Sequence, residues 1–105
     1  MKRSNVLIAV DNYIAKEVAE YLDYISVYLR IDKSGYTYFE IKNIKWNPAQ
    51  DRIRDFIQYI ETQDEDKYCI IIDNLDSESL KIKGEPFRFN IDIKQSYSYD
   101  GLFER

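Results

Sequence analysis

Histidine is absent from the 105 residues, there is one cysteine, and glycine and proline number only three and two. Each shortage removes a class of function. Without histidine there is no Ser-His-Asp or Cys-His arrangement and no imidazole base. One cysteine and no histidine exclude the usual zinc ligand sets, and Cys69 cannot form an internal disulfide. The three glycines are far apart, so no phosphate-cradling loop exists. The longest apolar stretches, "VLIAV" and "YCIII", are far short of the roughly 20 residues of a membrane span and too short for a secretory signal. No metal site and no cofactor is expected.

Positive charge is also in deficit: 15 Lys and Arg face 19 Asp and Glu, a formal net charge of −4. Binding a phosphate backbone draws on clustered Lys and Arg, which are scattered here. What is plentiful is tyrosine, at ten residues. The length suits one domain, 1–105, with a single core, and fraying is expected at Met1–Ser4 and Asp100–Arg105. A free thiol within an apolar run suggests a reducing compartment, so the cytoplasm of a bacterium or an infected host cell is expected. Isoleucine, lysine, asparagine and tyrosine supply 40 of the 105 residues, the usage of an AT-rich bacterium or phage.

Periodicity outlines the elements. "ISVYLRI" (25–31) alternates, with Ile25, Val27, Leu29 and Ile31 on one face and Ser26, Tyr28 and Arg30 on the other. After "DKSG", the run "SGYTYFEIKN" (34–43) alternates again: Phe39 and Ile41 one way, Tyr36, Tyr38, Glu40 and Lys42 the other. A β-hairpin is expected. "NPAQDRIRDFIQYIET" predicts a helix with Asn47 as N-cap, Pro48 in its first turn, Gln50 completing a capping box, and an apolar stripe of Ile53, Phe56, Ile57 and Ile60. "YCIIID" reads as a strand buried on both faces. "SLKIK", "GEP" and "FRFNIDIK" read as a second hairpin, with Phe87, Phe89, Ile91 and Ile93 sharing a face. For residues 5–24 two readings stand: a strand "VLIAV" followed by a helix over 12–24, N-capped by Asp11 and using Ile14, Val18 and Tyr21, or one helix capped by Ser4. The first gives a ferredoxin-like β-α-β-β-α-β split sheet with an added C-terminal β-hairpin. The second gives helix, hairpin, helix and three strands. Both are α+β.

With the first order, Gly35, Tyr36, Thr37, Tyr38 and Phe39 resemble the middle of the third-strand signature of the RNA-recognition motif, the likeness spanning about residues 5–73. It implies that Tyr36 and Tyr38 stack bases of single-stranded RNA. The chain departs from the motif at Ser34, where a basic residue belongs, at Thr37, where a small one does, and at Leu7, where an aromatic is usual. "VLIAVDN" is similar to the first strand of ferredoxin-like CRISPR adaptation nucleases, which implies Mg²⁺-assisted chemistry at Asp11. Helix N-capping is the structural account of the same residue.

Acidic residues flank "YCIII": Glu61, Asp64, Glu65 and Asp66 before it, Asp73, Asp76 and Glu78 after it. They serve either solubility and turns or the docking of a basic partner. Trp46 is either packing over the helix entrance or an interface anchor. With no catalytic set, the expectation is a non-enzymatic protein that binds another protein through Tyr28, Tyr36, Tyr38, Asp64, Glu65, Asp66, Asp73, Asp76 and Glu78. The class expected is a stoichiometric inhibitor: an immunity protein, an antitoxin, or a phage anti-defence or anti-CRISPR-type protein. An RNA-recognition-like module and a carboxylate nuclease are the alternatives.

Overall fold

The computed structural model describes residues 3–77, 79–93, 97–99 and 103–104. Glu78, Met1, Lys2, residues 94–96 and most of the stretch from Asp100 onward lie outside the described residues, and so do the contact role expected of Glu78 and the fraying expected at the two ends. The chain forms β1 (Ser4–Asp11), α1 (Asn12–Asp23), β2 (Leu29–Asp32), β3 (Tyr36–Ile44), α2 (Asp51–Ile60), a 3-10 turn (Glu65–Lys67), β4 (Tyr68–Asn74), β5 (Ser79–Gly84), a second 3-10 turn (Pro86–Phe89) and β6 (Ile91–Ile93), β7 (Tyr97–Tyr99) and β8 (Phe103–Glu104). The fold is α+β. Five antiparallel strands in the order β2-β3-β1-β4-β5 form the main sheet, and β6-β7-β8 form a second.

The first strand exists because it is central. All eight residues of β1 are buried, between β3 on one side and β4 on the other. Val6, Ile8 and Val10 point into a core with Ile14, Ala15, Val18 and Leu22 of α1 and Phe56 and Ile60 of α2. Leu7 and Ala9 point into a second core on the opposite face, with Tyr38, Cys69, Ile71, Phe89 and Ile91. A strand covered on both faces reads as a continuous apolar run rather than an alternating one, which is why "VLIAV" was ambiguous.

Four local expectations are corrected. The second strand starts at Leu29 rather than Ile25, because Ile25 and Ser26 donate their backbone N–H groups to Leu22 and so close the end of α1. In consequence Val27 is 90% exposed. The second helix starts at Asp51: Asn47 accepts from the Ala49 N–H at 3.0 Å in a turn ahead of it, and Gln50 occupies the cap position. Asp11 stands at the cap position of α1, yet its side chain makes no cap bond. Finally, "FRF" is not a strand, and the expected second hairpin does not form: β5 pairs with β4, while β6 pairs with β7 in the other sheet. Pro86 and the Glu85 carboxylate, which accepts the Phe87 N–H at 3.3 Å, start a 3-10 turn that ends at Asn90 in the left-handed region. Phe87 is therefore 77% exposed while Phe89 is buried against the sheet.

A candidate acidic and aromatic interface

The expected tyrosine platform is not an open surface. Tyr36 and Tyr38 do share a sheet face, with ring centroids 5.4 Å apart, but Phe89 packs edge-on against Tyr36 at 6.0 Å. Tyr38 is fully buried and donates its hydroxyl to the Phe89 carbonyl. Asn90 Nδ2 donates to the Tyr36 hydroxyl oxygen at 2.6 Å. The segment from Pro86 to Ile91 thus straps the face on which bases would stack. Assigning Tyr38 to a contact surface is corrected: its position on the pleat was right, and the strap covers it.

Tyr28 lies on the helix side, its ring edge-on to Phe39 at 5.4 Å and its hydroxyl donating to Asp23 Oδ1 at 2.8 Å. Burial, and then the bond to Asp23, raise its pKa. Trp46 packs edge-on against Phe56 at 6.3 Å, with its buried Nε1–H lacking an acceptor among the described residues. It is therefore largely a packing residue. Asp11 is buried, with Lys67 Nζ and Arg88 Nη2 each 3.5 Å from its carboxylate. It clasps the lead-in to β4 and the strap to the start of α1. Among the described residues no group of three or more Asp, Glu or Cys is placed to hold a metal ion.

The two acidic clusters stand at opposite ends of β4. Asp64, Glu65 and Asp66 are all exposed around the first 3-10 turn, and Glu61 just before them pairs with Lys83 at 2.6 Å. At the far end Asp73 is buried, which corrects its assignment to a contact surface, and Asp76 accepts the Arg3 backbone N–H at 3.3 Å.

A different cluster emerges where the helices meet. Tyr13, Glu17, Glu20, Tyr21 and Tyr24 recur at helical spacing along α1, beside its buried stripe of Ile14, Val18 and Leu22. α2 brings Arg52, Asp55 and Tyr59 opposite them. Between the helices runs a groove of about 460 Å³ lined by Glu17, Glu20, Tyr21, Tyr24, Arg52, Asp55 and Tyr59. Its floor is a stacked pair, Tyr21 and Tyr59, with centroids 4.9 Å apart and planes 25° apart. Tyr13 on α1 and Tyr24, which caps its C-terminal end, stand 66% and 70% exposed. Arg52 donates to the Tyr24 carbonyl at 2.9 Å, so its charge is committed to the C-terminal end of α1, where a cation belongs. Three carboxylates, Glu17, Glu20 and Asp55, outnumber Arg52 along the groove and leave it negative, with Asp55 also 3.6 Å from Arg54 Nη2. Burial first, then the Glu17 carboxylate and the Tyr21 and Tyr13 hydroxyls, raise the Tyr59 pKa and keep it a neutral donor.

Carboxylates beside aromatic faces are suited to cations: the rings attract a guanidinium or ammonium group and the carboxylates accept its hydrogen bonds. None of the groove residues was singled out from the sequence as a contact residue. The signal was the Tyr/Glu stripe on α1. No protein-family model matches the chain, and neither the curated proteins nor the solved structures yield a match.

Proposed function

We propose that this is a non-catalytic binding protein that neutralises a partner protein by covering a basic surface. The partner's Lys and Arg side chains would enter the groove between α1 and α2. The observation that carries this reading is the convergence of Glu17, Glu20 and Asp55 on the Tyr21–Tyr59 stack. Asp64, Glu65 and Asp66 follow soon after the end of α2 and are exposed, adding to the negative charge of the surface. Charge of this kind speeds encounter with a basic partner, and tyrosine adds contact area at low entropic cost. Immunity proteins, antitoxins and phage inhibitors of defence nucleases are the classes to which this mode of action belongs. The buried free thiol of Cys69 supports a cytoplasmic setting, and among the described residues no helix is long and apolar enough to cross a membrane.

We also read the core as a ferredoxin-like split sheet. β3 lying between β2 and β1, β1 lying between β3 and β4, and both helices packing on one face support that reading. β5 and the strap are then additions, the strap closing the face that an RNA-recognition module leaves open.

The test is capture of partners from bacterial lysate by the tagged protein at low and moderate salt, beside a variant carrying Glu17→Lys, Glu20→Lys and Asp55→Lys. The recovered partner is then titrated by calorimetry. A basic partner whose affinity falls about 100-fold in the variant and declines with salt is expected, about the effect of losing two or three charge pairs. A partner bound equally by both proteins and indifferent to salt would remove the groove from the mechanism. The variant's melting temperature, close to that of the wild type, separates lost binding from lost folding.

A further inference from the structure

The main sheet has two edges, and they are treated differently. β5 carries Lys81 and Lys83, charges of the kind that keep an edge from recruiting another strand. β2 carries no lysine and no proline. It is flanked by Val27, 90% exposed, and begins at Leu29, 52% exposed. Among the described residues its only sheet partner is β3.

Backbone parity shows which groups face the open edge. Lys33 donates its N–H to the Tyr36 carbonyl at 2.8 Å, and Arg30 and Asp32 lie opposite Phe39 and Thr37. In an antiparallel pair, hydrogen-bonded positions alternate with non-bonded ones. Residues 29, 31 and 33 therefore turn their backbone groups inward to β3, and Arg30 and Asp32 turn theirs outward. On the helix side the two side chains form an ion pair at 3.0 Å, with both groups exposed. On the opposite side Ile31 lies half-buried against the strap-side core.

We propose that β2 pairs antiparallel with β2 of a second copy of this chain, about a two-fold axis at Ile31. That axis sets Arg30 opposite Asp32 of the second copy, and Asp32 opposite its Arg30, as hydrogen-bonded positions with opposite charges facing. Ile31 meets Ile31 of the second copy at the close, non-bonded position on the other face. Neighbouring registers lack this match. An axis at Arg30 opposes two arginines, and an axis at Asp32 opposes two aspartates. An axis at Leu29 needs Val27 in the strand, but the backbone just before it is tied into the end of α1. Charge self-complementarity thus selects both the occupant and the register. One four-residue strand from each copy buries less than a stable dimer requires, so the association is weak and concentration-dependent. It joins two main sheets into one and is independent of the groove between the helices.

Sedimentation velocity of the full chain, over a concentration series reaching the millimolar range, tests the pairing. A reversible monomer–dimer equilibrium is expected. Arg30→Asp alone and Asp32→Arg alone should each weaken it about tenfold, because symmetry applies each like-charge pair twice. The double swap should restore it. Arg30→Pro takes from the backbone only an outward N–H and leaves the bonds to β3 in place, though it also removes the guanidinium that pairs with Asp32; it should abolish the dimer while circular dichroism shows the fold retained. A monomer at every concentration, a dimer that survives Arg30→Pro, or a double swap that fails to restore pairing would each overturn the proposal.

Discussion

Tyr38 in β3 donates its hydroxyl to the carbonyl of Phe89, 51 residues later in the chain, and the bond is buried. It joins the central sheet to the strap that covers it. Phe89 itself is fully buried, so one aromatic ring and one hydrogen bond hold the strap down from the same residue.

Tyr38→Phe keeps the ring and leaves the Phe89 carbonyl buried without this donor. Urea unfolding should show a loss of about 1–3 kcal/mol, and hydrogen exchange should quicken first at Asn90 and Ile91. Phe89→Ala removes the packing as well and should cost about 3–5 kcal/mol. A tyrosine on an open platform would tolerate loss of its hydroxyl with no change in stability, so an unchanged unfolding midpoint for Tyr38→Phe would contradict the strap.

Asp11→Asn separates a clasp from a catalytic carboxylate. The side chain keeps its size but loses its charge toward Lys67 and Arg88, both at 3.5 Å and both partly exposed. The expected cost is about 1 kcal/mol, the range for partly solvated ion pairs. It should shrink as salt is added, because the pairs being removed are themselves screened. Partner capture should be unaffected. A metal-dependent nuclease activity in the wild type that vanishes in a fully folded Asp11→Asn would overturn the structural role.

Much of the sheet was legible because its signals are local. The turn after β2 and the alternation of Tyr36 to Ile41 fix a hairpin, and "YCIIID" is apolar on both faces because both faces are covered. Two things were not legible. Phe87, Phe89 and Ile91 alternate like a strand, and only the Glu85–Pro86 start signal tells of a 3-10 turn, a short cue that the apolar period outweighs. Whether Tyr38 faces solvent depends on where a segment far along the chain comes to rest, which no local pattern encodes. The groove lay between these cases. Its α1 stripe is visible in the sequence, but Tyr59 and Asp55 join it only once α2 packs alongside.

Gly35 and Gly84 offer a matched comparison, since both have positive φ, +96° and +87°. At Gly35 a Cβ meets nothing within 4 Å, so Gly35→Ala should cost only the backbone strain, about 1–2 kcal/mol. At Gly84 a Cβ would lie 2.1 Å from the Tyr68 carbonyl oxygen. Strain and clash combine there, and Gly84→Ala should cost about 3 kcal/mol or more and loosen the end of β5 from β4. Chemical denaturation of the two variants side by side checks the ranking; equal losses would mean that β5 does not approach β4 this closely.

Cys69 gives a pH dependence with a defined sign. Burial, with a smaller push from the Glu85 carboxylate, raises its thiol from 9.0 to about 12. Between those values the unfolded chain gives up a proton that the folded chain retains, so the unfolded state gains on the native one as pH rises. This contribution is whole below pH 9 and is lost progressively toward pH 12. Tyr28, Tyr59 and Tyr68 are shifted upward as well and act in the same direction, so the thiol must be isolated by comparison. Cys69→Ala should be less stable than the wild type at neutral pH, because it opens a cavity, and the gap should narrow steadily above pH 9. Iodoacetamide should modify the native thiol slowly and the urea-unfolded thiol fast. A gap that stays constant with pH, or rapid labelling of the native protein, would show that Cys69 is reached by solvent and that the core beneath Leu80 and Phe89 is open.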